Sequence, residues 1–267
     1  MKFKLTVIIE NMSNIPLPWL IILLCVAGII VLWQLWFWLI IFFVSMTISK
    51  KKEYTKPSKF YNWIFVLWYR YMMIAGRLNV HVSGYEKVPM GQRFLLVSNH
   101  CSKFDNFIQC AVLKKTQIAY ISKPENFKIP MGGRFMRRGL YLPIERDNTR
   151  EGLKTILKAI DYIKDDKVSV GIFPEGKRGN ELQEFKPGAF KIAEKARCPL
   201  VVCSMRGTTE IHKNWPWKRT DVYMDVLEVI NPSVWNDKTT VDVSNYAHEI
   251  IYNDLYNKSN QTKRGTV

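Results

Sequence analysis

The stretch Asn99-His100-Cys101-Ser102-Lys103-Phe104-Asp105 carries the residue types of a proton-transfer pair. A histidine can take a proton from a weak nucleophile near neutral pH, and a carboxylate can fix its tautomer and steady the imidazolium that forms. On one continuous helix, residues five apart diverge by about 140°, because each residue turns the helix by roughly 100°. His100 and Asp105 therefore meet only if the histidine sits on a turn and the aspartate in the first turn of the next helix. The flanks predict that arrangement, since residues 93–97 read as a strand and 107–113 as a helix. The competing reading is a histidine that caps a helix whose positive end Asp105 offsets. Cys101 puts a thiol beside the histidine, but neighbours on a turn point apart, so it reads as a small packed residue.

The elements that must position this pair alternate between two periodicities. Residues 79–84, 117–121, 168–173, 200–205 and 222–230 read as strands, with a short extended piece at 139–144. Leu153, Ile156, Leu157, Ile160 and Ile163 recur at helical spacing, while 190–196 and 246–255 also read as helices. Ile129-Pro130-Met131-Gly132-Gly133 reads as a break in regular structure. Strands alternating with helices predict an α/β fold with a mostly parallel central sheet flanked by helices.

Ahead of this fold lies an apolar segment. From Leu20 to Val44 only Gln34 is strongly polar, and about 20 apolar residues suffice to cross a bilayer. It is too long for a cleavable signal peptide. Trp33, Trp36 and Trp38 lie mid-segment, so the helix either spans or dips into one leaflet and returns. If it spans, Lys50, Lys51, Lys52, Lys56 and Lys59 place the following domain on the cytoplasmic side. Residues 60–74 read either as an interfacial helix, with aromatics in the headgroup layer, or as a buried helix packed on the domain. The division is a membrane anchor at 1–59, an interfacial helix at 60–78, a catalytic domain at 79–256 and a polar tail at 257–267.

The net charge of +16 favours anionic partners. No zinc spacing, helix-turn-helix signature or RNA-binding motif accompanies it, so anionic lipid is preferred and nucleic acid is not expected. The five cysteines are dispersed, show no metal-ligand spacing and suit a reducing compartment. The Trp215-Pro216-Trp217-Lys218-Arg219 cluster reads either as a membrane-surface contact or as a loop of packed aromatics. His81, His212 and His248 carry no motif.

Four blocks in order resemble the 1-acyl-sn-glycerol-3-phosphate acyltransferases, the lysophosphatidic acid acyltransferase family. They are the His-x4-Asp turn at 100–105, Gly139 through Arg146, Phe173-Pro174-Glu175-Gly176-Lys177-Arg178, and Pro199-Leu200-Val201-Val202. The likeness covers roughly residues 75–230. Lys177 departs from the family's threonine, adding a cation, and Val202 stands where a second proline is common.

The resemblance implies acyl transfer from a thioester, acyl-CoA or acyl-carrier protein, to the free hydroxyl of lysophosphatidic acid. His100 would be the base and Asp105 its orienter, with no acyl-enzyme, metal or tightly bound cofactor. Arg178 follows Gly176, which permits close backbone approach, and arginine grips phosphate in bidentate fashion. Arg146 and Lys123 complete the cluster by resemblance, and Lys177 adds to it. Glu175 either orders these cations through ion pairs or bonds the acceptor glycerol, while Gly176 meets a backbone requirement. Two alternatives stay open: a glycerol-3-phosphate or other lysophospholipid acceptor, and a non-catalytic lipid-binding membrane protein on the same fold. The oligomeric state is left open as well.

Overall fold

The structure, a computed structural model, describes residues 16–145 and 148–257. Contacts divide the chain into two units, Met1–Ser49 and Lys50–Val267. Within the first, α1 (Leu17–Met46) is a 30-residue helix with Pro18 in its first turn, where a missing N–H costs no helical bond. At about 1.5 Å per residue it extends roughly 45 Å, beyond the ~30 Å of a bilayer core. Among the described residues it is the one helix long and apolar enough to cross a membrane. Most of its large apolar side chains, Leu24, Ile29, Leu32 and Trp33 among them, are exposed.

The second unit is built on a seven-stranded sheet in the order β1-β7-β6-β2-β5-β3-β4. The strands are β1 (Leu78–Ser83), β2 (Leu95–Ser98), β3 (Ile118–Ser122), β4 (Leu142–Pro143), β5 (Ser169–Ile172), β6 (Leu200–Arg206) and β7 (Thr220–Ile230). Every neighbouring pair is parallel except β6 and β7. β2, β5 and the first six residues of β6 are buried throughout, and a strand covered on both faces needs the near-continuous apolar run seen in 200–203. Leu95, Val97, Val170, Leu200 and Val202 join a core cluster with Ile160 and Ile163 of α5 (Thr149–Lys164), Ile192 of α6 (Lys191–Ala196) and Ile251 of α8 (Thr240–Tyr252). Thr239 and Asp242 form a reciprocal capping box that starts α8 six residues ahead of its expected beginning.

The other helices are α2 (Lys59–Ala75), α3 (Asp105–Val112), α4 (Gly132–Arg138) and the single turn α7 (Ile211–Asn214). α2 packs on the domain along one side only. One face is packed: Phe65 meets Phe135 of α4 at 5.3 Å between ring centroids, and Tyr69 stacks on Phe107 of α3 at 5.1 Å. Its other face, with Phe60, Trp63, Leu67 and Ile74, is exposed.

Two expectations hold only in part. The break expected at 129–133 is present at 129–131, but the glycines at 132 and 133 begin α4. A Cβ at Gly133 would lie 2.1 Å from the Phe127 carbonyl oxygen, so this close approach to the preceding turn requires glycine. On α5, Leu153 and Leu157 are exposed, and Ala159 and Tyr162 take core places beside Ile160 and Ile163. Sequence spacing gave a face about one residue step away from the one the sheet covers.

Candidate active site

The turn that bears His100 and Asp105 lies at the carboxyl ends of the parallel strands, where an open α/β sheet leaves a crevice. β2 ends at Ser98, and the Asn99 carboxamide then pairs twice with the Met205 backbone. Its Nδ2 donates to the Met205 carbonyl at 2.9 Å, and its Oδ1 accepts the Met205 N–H at 2.8 Å. This pairing fixes the end of β2 against β6 and sets where the turn begins.

His100 comes next, and Asp105 opens α3. Asp105 is fully buried. Its Oδ2 accepts the N–H groups of Cys101 and Ser102, each at 2.7 Å, and lies 2.8 Å from His100 Nδ1. The backbone of the turn thus aims the carboxylate, and the carboxylate aims the ring. With Asp105 accepting from Nδ1–H, Nε2 is the nitrogen left to receive a proton. The imidazole is one-fifth exposed and stacks on Phe173, with ring centroids 3.9 Å apart. Phe173 stacks in turn on buried Tyr120.

The loop after β5 holds the histidine's backbone at both ends. Glu175 Oε1 accepts the His100 N–H at 2.6 Å, while the Gly179 N–H donates to the His100 carbonyl at 3.0 Å. Glu175 Oε2 accepts the Gln183 N–H at 3.0 Å, which folds the loop back on itself. Gly176 makes the bend, with φ at +76°, a left-handed conformation that suits glycine. Burial pushes the Glu175 carboxyl up to about 7; the Gln183 and His100 N–H groups oppose that rise, and the nearby negative charge of Asp105 adds to it.

Glu175 was expected among the cations. It makes no ion pair among the described residues, and both oxygens are taken by backbone N–H groups beneath the turn. Lys177 and Arg178 are exposed on the same loop, next to Gly179, which bonds His100. Lys123 is exposed just past the carboxyl end of β3, on the same edge of the sheet but separated from β2 by β5. Arg146 lies outside the described residues. The structure therefore gathers His100, Asp105, Glu175 and Gly176 closely, and carries Lys177 and Arg178 on the strap that holds them.

The surroundings of Cys101 favour the neutral thiol over the thiolate. Burial pushes its thiol up to about 12, and its sulfur accepts from Asn99 Nδ2 at 3.2 Å. The sequence gave no role to Asn99, Phe173 or Gly179, although all three stand in or beside the quoted blocks. Their functions depend on strands that meet only in the fold. A cleft of about 190 Å³ adjoins the turn, lined by Asn99, Cys101, Glu175, Leu182, Arg206 and Tyr256 among others.

Residues 79–206 match the family model described as Acyltransferase. The chain is 29% identical over 136 residues to the 1-acyl-sn-glycerol-3-phosphate acyltransferase of Bacillus subtilis, covering 51% of this chain and 67% of that protein. It is 28% identical to the protein of the same name from Saccharomyces cerevisiae, over 54% of this chain and 48% of that one. The crystal structure of the 1-acyl-sn-glycerophosphate (LPA) acyltransferase PlsC from Thermotoga maritima has the same fold, with a TM-score of 0.63 at 21% identity. That match covers 74% of this chain and 79% of that one. The α/β class and mostly parallel sheet expected from the sequence are the fold shared with that crystal structure.

Proposed function

We propose that this acyltransferase esterifies the free hydroxyl of lysophosphatidic acid, giving phosphatidic acid, at the cytoplasmic face of a membrane to which α1 attaches it. The observation that carries the proposal is the 2.8 Å contact between His100 and buried Asp105, on a turn held by the loop that bears Arg178. The four-block resemblance and the names of the similar proteins support the same reaction.

His100 Nε2 takes the acceptor's hydroxyl proton as that oxygen attacks the thioester carbonyl. Collapse of the tetrahedral intermediate breaks the C–S bond, and the departing thiolate receives the proton back from the imidazolium. Asp105 holds the ring and balances its transient charge. Arg178, with Lys177, Lys123 and Arg146, meets the acceptor phosphate, while Glu175 and Gly176 position the turn and strap. The donor is acyl-CoA or acyl-carrier protein. His100 and Asp105 supply the proton acceptor that the reaction needs, so no metal or resident cofactor enters the scheme. Glycerol-3-phosphate or another lysophospholipid as acceptor keeps every step and changes only what the cations grip.

Purified protein in detergent, given labelled acyl-CoA or acyl-carrier protein and a panel of acceptors, tests the reading. Product from lysophosphatidic acid that disappears with His100→Ala is expected. Transfer that survives His100→Ala, or a preference for acceptors lacking phosphate, would overturn it.

A further inference from the structure

Asp105 spends all its bonds on one of its two oxygens. Oδ2 takes two backbone N–H groups and His100, whereas Oδ1 is buried and has no hydrogen-bond partner among the described residues. A second buried atom shares that condition. Gln109 is fully buried, and its Nε2 has no partner among the described residues either. One atom is an acceptor and the other a donor. They stand four residues apart on α3, and so on the same face of the helix. A helical side chain leans toward the helix N-terminus, which carries the Gln109 amide back over Asp105. Buried polar groups in folded proteins are nearly always bonded, and one water can join a donor and an acceptor a helical turn apart.

The amide's orientation is set from its other end. The Tyr120 hydroxyl donates to Gln109 Oε1 at 2.5 Å, which leaves Nε2 as the group with protons to give. The reverse orientation would turn a carbonyl oxygen toward the carboxylate, two acceptors with no proton between them. Tyr120 lies on β3 opposite Gly171 of β5. A Cβ at Gly171 would lie 2.5 Å from the Tyr120 ring, so the ring's place requires glycine there. The same ring stacks on Phe173, which stacks on His100. Tyr120 therefore backs the imidazole with its ring while its hydroxyl holds the amide beside Asp105.

We propose that Gln109 is a positioning residue for the reaction: held by Tyr120, its Nε2 donates through one buried water to Asp105 Oδ1 and keeps the carboxylate aimed at His100. The proposal deepens the reading above and rests on it, because it assumes that the His100–Asp105 pair moves a proton. Three donors on Oδ2 fix one end of the carboxylate, which leaves rotation about the Cβ–Cγ bond. A donor on Oδ1 fixes the other end and with it the plane in which His100 Nδ1 bonds. A ring so held needs no reorientation as the proton moves. Gln109 and Tyr120 act from within the core, so their contribution falls on the reaction step and not on binding of either substrate.

The test measures single-turnover acyl transfer, and KM for lysophosphatidic acid, with the full chain in detergent. Gln109→Met keeps the side chain's length and removes the donor. It should lower the single-turnover rate about 10-fold with KM nearly unchanged. Tyr120→Phe keeps the ring on Phe173 and removes the hydroxyl, and should lower the rate about threefold. The two losses should not multiply in the double variant, since the hydroxyl acts through the amide. In an Asp105→Asn background, Gln109→Met should cost little more, because the carboxylate it holds is gone. A role in packing alone would persist there, so an undiminished loss in that background overturns the proposal. So does a parental rate in Gln109→Met, or a rise in KM that accounts for the whole loss. If Gln109→Met fails to fold, Tyr120→Phe decides: its loss should vanish beside Asp105→Asn, and equal losses in both backgrounds overturn the proposal. The two readings fail separately. Transfer that survives His100→Ala defeats the functional reading, whereas transfer that needs His100 but is indifferent to Gln109 defeats this inference alone.

Discussion

Two stretches of one loop after β5 are built in opposite ways. At Glu175 and Gly179 the loop is saturated with internal bonds, giving one acceptor and one donor to residue 100. At Lys177 and Arg178, between those positions, the side chains are exposed and make no ion pair among the described residues. On the proposed function, the difference separates two tasks. Proton transfer needs a ring already aimed, so its supports are internal and complete before substrate arrives. Phosphate binding needs charge that no internal carboxylate has neutralised, so those cations face solvent. Glu175 illustrates the division, because its carboxylate serves backbone N–H groups and not the arginine three residues on.

The strongest way to break this contrast is at the ring. His100→Ala should lower kcat by about 10³-fold, within the range for loss of a general base, with thermal stability nearly unchanged. A fall of less than tenfold in a rapid-quench assay would move the base elsewhere. Asp105→Asn comes next, with an expected loss of about 10²-fold in kcat. It should also lower thermal stability, because an amide cannot accept the Cys101 and Ser102 N–H groups and orient the ring as a carboxylate does. If calorimetry shows no destabilisation, the backbone bonds do not hold the carboxylate as described.

Arg178→Ala sharpens the other half of the contrast. It should raise KM for a phosphate-bearing acceptor by about 10- to 100-fold, as expected for a lost charge-assisted contact, with a smaller change in kcat. A loss confined to kcat would place Arg178 with the reacting turn instead. The smallest effect is the pH dependence of Glu175. Its carboxyl sits at about 7 against an ordinary 4.5, so between those values the folded protein holds a proton that the unfolded chain has released. Its contribution to stability therefore falls as pH rises through that window. Melting temperature measured from pH 4.5 to 7.5 should show this fall in the parent and a shallower one in Glu175→Gln. Parallel curves would remove Glu175 as the titrating group.

Much of the site was legible because its parts are close in sequence. His100 and Asp105 share one turn, and Glu175 through Arg178 share one loop, so each group stands in one short block, and the family resemblance singled those blocks out. The partners of Asn99 and Glu175 were not legible. Asn99 bonds residue 205, and Glu175 bonds residue 100, and neither separation leaves a trace in local periodicity. α4 was missed for another reason: its seven residues begin with two glycines, a break signal that a close contact with Phe127 turns into a helix start.

The amino-acid sequence by itself determined the alternation of strands and helices, the apolar segment at the start and the residue types of the reacting turn. These follow from side-chain periodicity and local turn geometry, which act over a few residues. Tertiary structure alone decided that Glu175 braces the histidine rather than pairing with cations. It also decided that the Trp215 indole N–H bonds the Ala75 carbonyl at the end of α2. Both outcomes depend on which strands lie side by side, and that is set by how the whole sheet buries its apolar faces.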